Sequence, residues 1–78
     1  MEENLLDVRG LICPLPVLKA NKALRGLPPG GRLVVLATDP ASARDFPAYC
    51  AETGHLLLGS SEAEGVFRFE LQRRAEPA

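Results

Sequence analysis

The sequence predicts an α+β two-layer sandwich of order βαβαββ: a four-stranded mixed sheet with two helices on one face. Three observations predict it. Short β-prone runs alternate with helix-period stretches through Thr53, and two strand-like runs flank Gly65 after that. Right-handed crossovers place both intervening helices on the same side of the sheet. The opposite sheet face is left to water or to a partner.

Each element has its own signal. Leu5 to Arg9 reads as a first strand, broken by Gly10. Pro14 and Pro16 flank the start of a helix, where missing N–H groups cost nothing. The helix runs to about Arg25, with Pro16, Val17, Ala20, Ala23, Leu24 and Leu27 on one stripe. Gly26 and the run Pro28-Pro29-Gly30-Gly31 end it. Leu33 to Ala37 is continuously apolar, as expected of an interior strand.

Asp39 and Pro40 read as N-cap and first residue of a second helix reaching Thr53, with Gly54 as its stop. Pro47 is expected to kink that helix, or to split it behind a cap at Asp45. His55 to Ser60 is a third strand. Val66 to Arg73 is the fourth, with Phe67, Phe69 and Leu71 alternating with Arg68, Glu70 and Gln72. Two crossovers make the first three strands parallel, and the short turn at Gly65 reverses the last. The tail from Ala75 to Ala78 is expected to fray.

Composition narrows the function classes. The 78 residues make one domain, 1–78, with an ordered core of about 5–73. A content of 46% hydrophobic and 24% charged residues argues against disorder. The net charge of −1 supplies no global basic field for nucleic acid, so any RNA contact is local or indirect. Met1-Glu2-Glu3-Asn4 has no apolar region of a signal peptide, and the longest apolar runs are too short to span a bilayer. No membrane association is expected, and the cytoplasm is the expected compartment.

The cysteines carry the chemistry. Cys13 and Cys50 form no CxxC, and with His55 they fall short of a zinc set without carboxylates, so no metal and no cofactor are expected. Cys13 precedes Pro14 and so occupies or adjoins the N-cap of the first helix. The helix dipole there stabilises a thiolate, and such positions lower a cysteine pKa from about 8.5 to between about 3.5 and 7.5. A persulfide gains from the same field. From position alone a second reading stands beside this one: a small buried hydrophobe. Cys50 lies on the apolar stripe of the second helix and reads as core packing.

Leu6-Asp7-Val8-Arg9-Gly10-Leu11-Ile12-Cys13-Pro14-Leu15-Pro16 resembles the signature of the TusA (SirA-like) sulfurtransferase family, whose core is Cys-Pro-X-Pro after a Gly-Leu step. Asp39-Pro40-Ala41, Arg44-Asp45-Phe46-Pro47, Tyr49-Cys50 and Gly54-His55 are similar to the family's second helix. The resemblance runs from about Leu6 to Leu71. It implies the same βαβαββ sandwich and a sulfur carrier that takes sulfane sulfur as a persulfide on Cys13. The donor would be a cysteine desulfurase or a rhodanese, and the sulfur would pass to a downstream acceptor. In different members the route leads to thiolation of a tRNA wobble uridine, to molybdenum-cofactor synthesis or to sulfur oxidation. The tRNA-pathway members resemble Cys-Pro-Glu-Pro; Leu15 stands here between the prolines and points to a different docking surface.

The carboxyl ends of the first two strands share a sheet edge, where ligand sites of α/β sheets gather. Arg9, Gly10, Pro14, Pro16, Asp39 and Arg44 are therefore the expected surroundings of Cys13. Arg9 or Arg44 is expected to support the thiolate, and Asp39 to be only a cap. His55, at the start of the third strand, is at the wrong edge to serve Cys13 as a base. Lys19, Lys22 and Arg25 form either a solvated face or a stripe for an acidic partner. A monomer is expected. The competing reading is a non-catalytic binding or regulatory module for RNA or protein. A redox sensor is a third, and the chain offers Cys13 no adjacent resolving cysteine.

Overall fold

The alternating pattern folds as expected, with differences at element ends and at Pro47 inside the second helix. In the computed structural model, which describes residues 4–75, the elements are β1 (Asn4–Asp7), α1 (Leu15–Arg25), β2 (Arg32–Ala37), α2 (Ser42–Thr53), β3 (Leu56–Ala63) and β4 (Val66–Gln72). The acidic residues before Asn4 and most of the tail expected to fray lie outside the described residues.

The sheet order is β1-β2-β4-β3. β1 pairs parallel with β2, with Leu6 opposite Val35. β4 is antiparallel to both its neighbours, with Val35 opposite Phe69 on one side and Ser60 opposite Phe69 on the other. β1, β2 and β3 thus point the same way, and β4 fills the gap between β2 and β3. A register shift between Leu57 and Gly59 marks a bulge in β3. Glu64 and Gly65 connect β3 to β4 with φ of 54° and 82°, the left-handed pair that suits a two-residue hairpin.

One sheet face carries the core. Leu33, Val35 and Ala37 of β2 and Phe69 and Leu71 of β4 pack against Ala20 and Leu24 of α1 and Phe46 and Cys50 of α2. The Phe46 and Phe69 rings stack with centroids 4.7 Å apart. The two helices are also tied by a polar contact, where the Tyr49 hydroxyl donates to Asn21 Oδ1 at 2.9 Å. On the face away from the helices Leu5, Leu56 and Leu58 are exposed, and Arg32 pairs with Glu70 at 3.6 Å.

Several boundaries differ from expectation. β1 ends at Asp7 rather than Arg9, although Val8 still donates its N–H to Leu36 O at 2.8 Å and is fully buried. β3 starts after His55 and continues to Ala63, because pairing with β4 extends to the hairpin. Pro14 is the N-cap of α1 rather than its first residue. α2 begins at Ser42 behind an Ala41 N-cap, so Asp39 and Pro40 precede it. The Asp39 side chain and carbonyl build the preceding turn instead, accepting the N–H groups of Ala41 and Ser42. Pro47 does not split α2, which runs unbroken past it, and Asp45 lies in its first turn rather than at a cap. Gly54 ends α2 as expected, with φ of 86° and its N–H on Cys50 O.

Phe46 is fully buried between the helices and the sheet. Phe46→Ala is expected to lower the unfolding free energy by about 3–5 kcal/mol, most of what a domain of this size holds. Urea denaturation followed by circular dichroism measures it.

Candidate functional site

The sequence from Val8 to Pro14 leaves β1 at the carboxyl edge and must cross to α1. It is held there by the connector that follows β2. Gly10 donates its N–H to Thr38 Oγ1 at 2.9 Å, in a left-handed conformation with φ of 87° that favours glycine. Cys13 donates its N–H to Asp39 Oδ2 at 2.6 Å, while Asp39 Oδ1 takes the Ala41 N–H at 3.1 Å. One carboxylate therefore clamps the loop before α1 to the turn before α2. Asp39 is more than the cap it was expected to be.

Cys13 is exposed and Cys50 is buried. The Cys13–Pro14 peptide bond is cis. Pro16 is fully buried beneath the loop, so the start of α1 is anchored in the core. The first-turn donors that were expected to face the sulfur are largely absent or engaged. Pro14 and Pro16 have no N–H, and Leu15 donates to Ile12 O at 2.9 Å.

The side chain of Cys13 instead meets Asp45. A hydrogen bond to the Asp45 carboxylate raises the thiol pKa above its ordinary value, with smaller pushes from desolvation and from the charges of Asp45 and Asp39. Arg44 acts in the opposite, thiolate-favouring direction and is the weakest of these influences. The expectation of a thiolate favoured by the helix dipole is corrected: at neutral pH the resting group is the thiol. The same contact lowers the Asp45 carboxyl, helped by Arg44, whose Nε lies 3.3 Å from Asp45 Oδ1.

Arg9 takes no part. It is spent on Asp7, with Nε on Oδ1 at 2.9 Å and Nη2 on Oδ2 at 2.8 Å, and it is not among the groups that shift the Cys13 thiol. That pairing draws the Asp7 carboxyl down to about 2. His55 is likewise remote in role. Its Nδ1 accepts the Arg74 N–H at 3.1 Å, its ring lies against Tyr49, and burial lowers its pKa.

A groove of about 260 Å³ runs from the sulfur between the helices, with Cys13, Pro14 and Val17 on one side and Asp45, Tyr49 and Glu52 on the other. Outside it, Ile12, Leu15 and Leu18 expose apolar side chains on the loop and the start of α1, Ile12 to 69%. Lys19 and Lys22 rim a second hollow of about 390 Å³ beside Leu6, Ala23 and Leu27. Among the described residues no group of three or more His, Cys, Asp or Glu is placed to hold a metal ion. No helix there is long and apolar enough to cross a membrane.

The family model for the TusA sulfurtransferase matches residues 4–73. The chain belongs to the TusA family. A relative from Neisseria meningitidis serogroup A, named as a candidate sulfur carrier protein, is 50% identical over 74 residues, covering 95% of this chain and all of the relative. The sulfur carrier protein TusA of Pseudomonas entomophila is 44% identical over 71 residues, covering 91% of this chain and 89% of that one. The crystal structure of a SirA-like protein from Desulfitobacterium hafniense superposes with a TM-score of 0.80 at 27% identity, over 94% of this chain and 99% of that one. The TusA fold, two helices on one face of a mixed four-stranded sheet, is thus shared.

Asp45 is the site residue that sequence reading missed, since it was read only as a helix cap. The available signal was its position one turn into α2, at the sheet edge where the Cys13 loop also ends. Arg9→Ala is expected to raise the Asp7 carboxyl only part of the way towards ~3.9, because the backbone N–H at position 9 still donates to Asp7 Oδ1, while leaving the pH profile of Cys13 alkylation unchanged. NMR titration of the Asp7 side chain and iodoacetamide kinetics read the two outcomes.

Proposed function

We propose that the protein is a sulfur carrier that accepts sulfane sulfur on Cys13 and relays it to an acceptor protein. The observation that carries this reading is the contrast between its two thiols. Cys13 faces solvent on a loop clamped by Asp39, whereas Cys50 is 5% exposed within the core. Persulfide transfer requires a reachable sulfur on a fixed backbone and no cofactor.

The donor is a protein persulfide of the cysteine-desulfurase or rhodanese kind, and the reaction takes place in the cytoplasm. The Cys13 thiolate attacks the outer sulfur of the donor persulfide. The donor S–S bond breaks as the Cys13 S–S bond forms. The donor cysteine leaves as a thiolate and takes up the proton that Cys13 gave up, so no electron is gained or lost. Delivery repeats these steps with an acceptor in place of Cys13.

The apolar side chains of Ile12, Leu15 and Leu18 are exposed on the loop and the start of α1, the segments that carry Cys13. They form the contact surface for both partners, and water is excluded there during transfer. Leu15 makes this surface less polar than a Cys-Pro-Glu-Pro sequence would, and that favours a route other than tRNA thiolation.

Incubation with a cysteine desulfurase and cysteine is expected to add about 32 Da, one sulfur atom. Cys50→Ser is expected to gain it equally and Cys13→Ser to show no gain, as read by intact-protein mass spectrometry. A gain in Cys13→Ser would sink the reading.

A further inference from the structure

Two carboxylates approach Cys13, and they engage different parts of it. Asp39 takes the backbone N–H at 2.6 Å and has its second oxygen on Ala41. Asp45, in the first turn of α2, lines the groove beside the sulfur. Arg44 Nε, 3.3 Å from Asp45 Oδ1, helps keep this carboxylate ionised. The other side chains facing the groove are Ala48, Tyr49 and Glu52 from α2, the Tyr49 hydroxyl being committed to Asn21, and the uncharged Pro14 and Val17 from the α1 side.

We propose that Asp45 is a positioning residue that holds the empty carrier as a thiol and lets go of the sulfur once it is loaded. The proposal rests on the carrier reading above. An unloaded Cys13 donates its S–H to the carboxylate, and the raised thiol pKa and lowered carboxyl pKa agree with that direction. A protonated thiol is a weak nucleophile, so the empty carrier is slow to react with stray oxidants and electrophiles.

Loading changes the chemistry at this contact. The inner sulfur of a persulfide has no proton to donate, so the bond to Asp45 is lost. The outer sulfur lies one S–S bond, about 2 Å, further out. It ionises more readily than a thiol, because the charge is shared with a second sulfur. Asp45 and Asp39 then repel the anion they face and drive it out of the groove towards a partner. One carboxylate thus acts oppositely on the empty and loaded states.

The test is the rate of alkylation of Cys13 by iodoacetamide as a function of pH, read on the Cys13 peptide by mass spectrometry. In Asp45→Asn the midpoint is expected to fall and the rate at pH 7 to rise severalfold, because the gain in thiolate outweighs the lower nucleophilicity of a less basic sulfur. Asp45→Ser is a second neutral variant and should behave alike. Asp45→Glu keeps the charge and should restore the profile towards wild type. Glu62→Gln, which removes a carboxylate on β3, should match wild type. Profiles of both neutral variants that overlie wild type overturn the proposal, whether or not a persulfide forms. A wild-type chain with the raised profile that never takes sulfur from a donor overturns the carrier reading and leaves the hold of Asp45 standing.

Discussion

The site depends on the bridge that Asp39 makes between two backbone N–H groups, those of Cys13 and Ala41. The loop before α1 has no sheet partner beyond Val8, and a backbone donor left unpaired there would cost about 1–3 kcal/mol if shielded from water. Asp39 satisfies that donor and ties it to the turn that launches α2. Without the bridge, the distance between the sulfur and α2 would be set by loop fluctuation. With it, Cys13 and Asp45 are presented to each other by two elements whose own positions are fixed by the core. Pro16 beneath the loop and the Phe46–Phe69 stack beneath α2 supply that fixity.

The protonation state of Cys13 follows from which charges are near. A helix N-terminus offers about half a positive charge, carried on its unpaired N–H groups. In α1 those groups are depleted, since two positions are proline and the Leu15 amide is turned to the Ile12 carbonyl. Against this stands a whole negative charge on Asp45, which lines the same groove as the sulfur, with a further push from Asp39. A full charge outweighs a weakened half charge, and the thiol keeps its proton. An exposed cysteine in this position is therefore accessible without being permanently ionised.

Much of this architecture was legible in the sequence, and the illegible parts share a cause. The six elements were marked by local signals: the alternation in β4, the prolines ahead of α1, the glycines at 26, 54 and 65. Cys13 stood out because its neighbours Gly10, Pro14 and Pro16 are local too. The Asp39-Pro40 pair misled because it carries the local pattern of a cap, while its side chain is also committed to a residue 26 positions away. Pro47 was expected to kink or to split α2, yet the helix is not split there, and Phe46, Tyr49 and Cys50 on either side of it pack into the core. Asp45 looked like a helix-start residue and is one; that it also meets Cys13 depends on how α2 lies against α1, which no local pattern encodes. Arg9 was assigned to the wrong partner because Asp7, two residues away, is nearer than any thiolate.

The burial of Cys50 sets a limit on how the molecule can discharge. A sulfane sulfur attached at position 13 could in principle be expelled by a second thiol of the same chain, closing a disulfide and wasting the cargo as sulfide. Here that second thiol is packed among Phe46, Tyr49 and the sheet, and reaching it would require opening the folded interior. The molecule has no internal short circuit, so whatever Cys13 holds can leave only through an encounter with something outside.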